Sequence, residues 1–179
     1  LGANAPAIRR RAEAEFQLLV ADGRLDRDLR EARRHGARGL EAHFVRNARW
    51  RDGMLSSARV GLATALELDP AAVLLLPVDH PRVAAATVAG LAQMLMGAVS
   101  ACRPRERSAF RYALIPRHRR RRGHPVALTA ALARAIVADR GAADLSDAIR
   151  RNTRLVGYAD VADAGVLLNR NTPARSRPR

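Results

Sequence analysis

The stretch Pro77-Val78-Asp79-His80-Pro81 puts a carboxylate and an imidazole side by side, directly after the apolar run Ala72 to Val78. In open α/β sheets, ligands bind at the carboxyl ends of the strands, and Asp79 falls at that edge. A single carboxylate there can hold Mg²⁺ that bridges the phosphates of a nucleotide. It can equally cap the turn or the helix that follows. Pro77 is awkward in a central strand, because it donates no ladder hydrogen bond.

Three further stretches carry chemistry. In Arg119 to Pro125, RRRRGHP, Gly123 lets a backbone approach a ligand closely. Arg122 and its neighbours can clamp phosphate, and His124 can donate to it. A solvated basic loop is the alternative. In Asn169-Arg170-Asn171-Thr172-Pro173, alternate residues of an extended chain point the same way, so Asn169 and Asn171 share a face. They could contact a phosphate, a ribose or a metal-bound water, or simply make a turn. In Trp50 to Ser57, Gly53 and Met54 lead through Ser56 and Ser57 into a helix. A helix amino terminus offers free N–H groups to phosphate or to polar base edges. Capping by either serine is the simpler use.

The elements that must position these residues alternate between strand and helix. Leu1 to Arg11 reads as a strand end, a turn and a helix start. Ala12 to Arg38 reads as two helical pieces, and Leu40 to Val45 as a short strand. Ser57 to Leu68 has helical spacing. Ala72 to Val78 suits a strand buried on both faces of a parallel sheet. Helices are expected near Ala84 to Val99, Ala127 to Val137 and Leu145 to Arg151. Strands are expected over Ala109 to Ile115, Leu155 to Tyr158 and Gly165 to Leu168. The pattern predicts an α/β sandwich with a largely parallel sheet.

Composition narrows the partners. The net charge is +15, and all 32 basic residues are Arg, with no Lys anywhere. Such a charge favours nucleotides, phosphorylated cofactors or nucleic acid. Nine arginines and one acid, Glu106, lie between Arg103 and Arg122. Aromatic residues are scarce, which argues against base stacking along a nucleic-acid strand. No apolar run is long enough to span a bilayer, so no membrane partner is expected. The lone Cys102 cannot form an internal disulfide and fits a reducing cytoplasm.

The order and spacing of these stretches are more specific than any one of them. LGANAPAI, NARWRDGMLSSARVGL, LLLPVDHPRV, RRGHPV and GVLLNRNTP together resemble the MobA-like nucleotidyltransferases, a family that includes the molybdenum cofactor cytidylyltransferases. The resemblance runs from Leu1 to Pro173. It implies a Rossmann-like three-layer α/β/α fold that transfers NMP from an NTP, CTP or GTP, to a phosphorylated acceptor such as molybdopterin. Asp79 would be the catalytic Mg²⁺ ligand. Gly53, Met54, Ser56 and Ser57 would line the nucleotide-base pocket. Arg122, Gly123, His124 and Pro125 would face the acceptor, with Asn169 and Asn171 in the place of the closing DxDTP or NxNTP motif. The family also opens with a strand and a loop of the form GGxSxRMGxxK. The first residues here resemble the end of the second strand. The expectation is therefore a domain over 1–173 that is incomplete at its amino terminus, followed by a disordered basic tail over 174–179. No residue in this chain can supply the loop lysine, so little transferase activity is expected from it. The contrasting reading is a non-catalytic basic protein that binds nucleic acid or phosphometabolites.

Overall fold

The computed structural model describes Arg10 and residues 43–170. The expected strand end at Leu1, the helical pieces before Arg38, Asn171 and the tail lie outside the described residues. The chain divides into two compact units, Leu1–Ser57 and Ala58–Arg179.

In the first unit, His43 to Val45 is irregular rather than a strand. A 3-10 turn over Trp50–Asp52 ends at Gly53, whose φ of +93° suits a residue without a Cβ. Helix α1 (Met54–Leu66) begins there.

The second unit holds one mixed sheet. Its strands are β1 (Ala72–Leu75), β2 (Ala113–His118), β3 (Arg121–Arg122), β4 (Val126–Thr129) and β5 (Val156–Asp160). Helices α2 (Ala85–Ala101), α3 (Ala130–Ala138) and α4 (Leu145–Asn152) complete the unit. Strands β1, β2 and β5 run the same way. β4 lies between β1 and β2 and runs against both, and β5 pairs with β2 in parallel.

Among the described residues the sheet is therefore mixed rather than mostly parallel, although three of its five strands run the same way. Hydrophobic runs report burial but not strand direction. Here β2 returns as β3 and β4 through a tight hairpin, and that connection can only make antiparallel neighbours. The hairpin turn is Arg119-Arg120, both at positive φ (49° and 64°). Two-residue hairpin turns need this backbone to match the twist of the strands, and Asn or Gly normally supplies it.

Between the pairs Leu114↔Ala127 and Arg117↔Arg122, β2 has two residues and the opposing chain has four. The extra residues form a bulge at Gly123-His124-Pro125, with a cis His124–Pro125 bond. Pro116 lies inside β2, past the expected strand end at Ile115. Its carbonyl accepts from Gly123 N–H at 2.9 Å, so its missing N–H also faces the bulge, where the regular ladder is interrupted.

Leu91 and Leu95, one turn apart on α2, pack on the face made by Ala72, Leu74, Leu114, Ala127 and Ala159. Residues of opposite parity, Ala113, Val126 and Leu128, are also buried, so both faces of the sheet are covered. This is the layered α/β architecture the pattern predicts. β1 is only half-buried, since among the described residues it pairs with β4 alone. The carboxyl end of α3 is capped by Arg59, whose guanidinium donates to the Ile136 carbonyl (3.3 Å) and to that of Asp139. None of the described helices is long and apolar enough to cross a membrane.

Candidate active site

The site is built where β1 ends and the β3–β4 bulge comes alongside. After Leu75 the chain turns at Pro77 to His80, closed by His80 N–H donating to the Pro77 carbonyl (3.1 Å). The turn leaves Val78 97% exposed and directs Asp79 and His80 inward, with side chains only 14% and 9% exposed. The expected strand thus stops three residues early, because the proline and the turn end the ladder. The His80 and His124 rings lie 4.6 Å apart at an interplanar angle of 55°. His80 Nε2 is 4.0 Å from Asp79 Oδ1, beyond hydrogen-bond range. The Asn169 amide donates to Asp79 Oδ2 at 2.7 Å, and Arg170 N–H donates to the Asp79 carbonyl at 2.8 Å.

One segment, Asp163 to Arg170, buckles these loops together. It carries a 3-10 turn (Ala164–Leu167), where a strand was expected. His124 N–H donates to the Val166 carbonyl at 3.0 Å. Gly123 lies so close to that carbonyl that a Cβ there would collide with it. Gly165 is pressed in the same way against the Arg82 carbonyl.

Asp163 completes the buckle. Helix α2 starts after Ala84, which has no side chain to cap it. Asp163 Oδ2 fills that role from across the fold, accepting from Ala84 N–H (2.9 Å) and the Thr87 hydroxyl (2.8 Å), while Oδ1 accepts from Gly165 N–H (2.7 Å). Burial alone would raise its pKa. The donated hydrogen bonds, with a smaller contribution from His118, outweigh burial and hold it below its ordinary value. The ionised form is thus favoured by folding. Its contribution is full above the unfolded value and is lost as pH falls through the lowered folded value. Asp163→Ala is expected to cost about 1–3 kcal/mol by orphaning these donors. Urea denaturation at pH 7 checks this, and the difference from wild type should shrink as the titration is repeated at progressively more acidic pH.

The pKa of His124 is lowered mainly by burial, helped by repulsion from His80 and opposed by Asp79. The Nδ1 atoms of His80 and His124 are buried and have no hydrogen-bond partner among the described residues. Two imidazoles beside a carboxylate can bind and orient an oxygen-rich anion.

Residues 7–156 match the MobA-like NTP transferase domain. This chain belongs to that family. No curated protein is a significant match to it.

The match to the MobA-like domain contains Gly53 to Ser57, Asp79 and Arg122 to Pro125, and it stops before Asn169. The structure brings Asp79, His80, Gly123, His124, Pro125 and Asn169 into one cluster. Arg122, two residues before His124, is exposed and stacks its guanidinium 5.1 Å from the Tyr158 ring centre. Arg117 approaches the same ring at 4.9 Å while forming a bidentate pair with Asp160.

The base-pocket candidates are organised within the first unit. Buried Asn47 donates to the Ser56 and Ser57 hydroxyl oxygens (2.8 and 3.0 Å), and its own oxygen accepts from Arg49 N–H (2.9 Å). The Ser56 hydroxyl lies 2.8 Å from the Arg49 carbonyl and 2.9 Å from that of Gly53, so it is committed to the loop. Met54 is largely exposed. Asn47 and Asp163 escaped the sequence reading. The Asn-x-Arg start of an Asx turn was the one available signal for Asn47.

Among the described residues, no three His, Cys, Asp or Glu side chains gather into a metal cage. A Mg²⁺ of the kind found with nucleotides needs only one or two protein carboxylates, the rest being phosphate and water oxygens. Asp79 at a strand end fits that requirement.

Proposed function

We propose that this chain binds an Mg²⁺–NTP for transfer of a nucleoside monophosphate, CMP before GMP, to a phosphorylated acceptor such as molybdopterin with release of pyrophosphate, and that, having no lysine, it turns the reaction over only weakly. The observation that carries this reading is the convergence of Asp79, His80, His124 and Asn169 where β1 ends beside the bulge, within a MobA-like fold. In such a transfer an oxygen of the acceptor phosphate bonds to the α-phosphorus of the NTP. The α–β bridging oxygen leaves with the pyrophosphate and takes the bonding pair. The attacking oxygen is already anionic, so the protein has mainly to position charges and neutralise them.

Asp79 would hold Mg²⁺, which offsets phosphate charge when bound. Asn169 fixes the Asp79 carboxylate through the 2.7 Å hydrogen bond. His124 and His80 would contact the acceptor phosphate, with Arg122, Gly123 and Pro125 forming that side of the site. Asn171, by its place in the closing motif, would act with Asn169 on the substrate. Gly53, Met54, Ser56 and Ser57 would receive the base. A cytoplasmic location fits an acceptor made and used inside the cell.

The experiment is a panel of CTP, GTP, ATP and UTP titrated with Mg²⁺, followed by a pyrophosphate-release assay with molybdopterin. Tightest binding of CTP supports the reading. Binding of generic DNA with steep salt dependence, and no Mg²⁺-dependent nucleotide binding, would replace it with the basic binding-protein reading.

A further inference from the structure

The second unit carries a cleft of about 810 Å³ at the opposite edge of the sheet from Asp79. It opens where the chain enters β2 and β5, between Phe110-Arg111 and Thr153 to Leu155, with α3 as its floor. The Thr153 hydroxyl donates to the Arg111 carbonyl (2.6 Å) and ties the two rims together. The cleft has the volume of a small-molecule site.

Its lining is one-sided in charge. Among the described residues Arg111, Arg134 and Arg154 line it, and no carboxylate does. Arg134 is shared with exposed Asp69 at 3.0 Å. Arg111 and Arg154 are exposed and have no ion pair among the described residues. A smaller neighbouring hollow of about 570 Å³ contains Asp139. That carboxylate is already engaged, since Arg151, Gly141 N–H and Asn152 all donate to it and hold its pKa down to about 2. It therefore neutralises Arg151 and leaves Arg111 and Arg154 available.

The apolar wall is also specific. Phe110 lines the cleft, and its ring is fixed by stacking on Tyr112, 5.7 Å between centres and 10° from parallel. Tyr112 in turn lies over Gly157, where any Cβ would strike its hydroxyl. A rigid aromatic ring beside two available guanidiniums and the Ser108 hydroxyl offers a flat surface for a base and a fork for a phosphate.

We propose that this cleft is a second binding site, separate from the Asp79 site, for a nucleoside phosphate. The site is independent of the transfer reaction and needs no metal. AMP is titrated calorimetrically into the full chain in EDTA at about 0.15 M salt, which silences Mg²⁺-dependent binding elsewhere and screens diffuse attraction. Saturable binding is expected, weakened about tenfold or more in the double variant Arg111→Gln/Arg154→Gln. The control Arg119→Gln/Arg120→Gln removes the same charge from the hairpin tip and should change binding by less than about twofold. Phe110→Leu should weaken AMP several-fold and leave inorganic phosphate unaffected. Thermal melts verify that each variant is folded. Absence of saturable AMP binding, equal losses in the two double variants, or indifference to Phe110→Leu would each overturn the proposal.

Discussion

Gly123→Ala is expected to lower stability by about 3 kcal/mol, which for a chain of this size is a fall of roughly 6–12 °C in Tm. The cause is steric and local. The added methyl would drive into the Val166 carbonyl, and that atom is backbone, held by the His124 N–H bond at 3.0 Å. The two segments cannot separate without breaking this bond and shifting His124 from His80. Nor can the bulge move freely, since Gly123 N–H is itself donated to Pro116 inside β2. Calorimetric melting of the two proteins checks the size of the effect. A shift under about 2 °C would show that the buckle around Val166 is softer than its geometry implies.

Asp79→Asn is expected to leave the fold intact and to weaken Mg²⁺-dependent NTP binding by about a hundredfold. The substitution is nearly isosteric, and the oxygen of the introduced amide can still accept from the Asn169 side chain. The Arg170 N–H bond to the backbone carbonyl is untouched. What disappears is the negative charge, the part a hard divalent cation requires. Asp163→Ala, by contrast, should cost stability first, because that carboxylate serves backbone and hydroxyl donors within the fold. The two aspartates separate binding from scaffolding.

The contrast between them also shows what could be read from the sequence. Asp79 and His80 were legible because an apolar run ending in Pro-x-Asp-His marks a strand edge. His124 was legible beside Gly123, although the close approach expected toward a ligand is made instead to the Val166 carbonyl of the chain itself. Asp163 was not, since nothing near it in sequence reveals that it caps a helix 79 residues away. β4 was absorbed into the following helix. Val126 to Ala138 is almost uniformly apolar, and neither period stands out until Thr129 is seen to cap α3 by accepting from Leu132 N–H. The basic run was read as a loop because Arg119 and Arg120 lack the usual residues of a two-residue hairpin turn, although both adopt its backbone. Strand direction was the largest miss. Periodicity records which faces are buried, and the insertion of β4 between β1 and β2 is decided by the hairpin and its bulge.

The Asp79 cluster is proposed to bind a metal-bound nucleotide. The most direct measurement of this is calorimetric titration of CTP into the wild-type chain and the Asp79→Asn variant, each with Mg²⁺ and with EDTA. Saturable binding by wild type in Mg²⁺, lost in EDTA and lost in the variant, is the predicted result. Equal binding in all four conditions would contradict the assignment of Asp79.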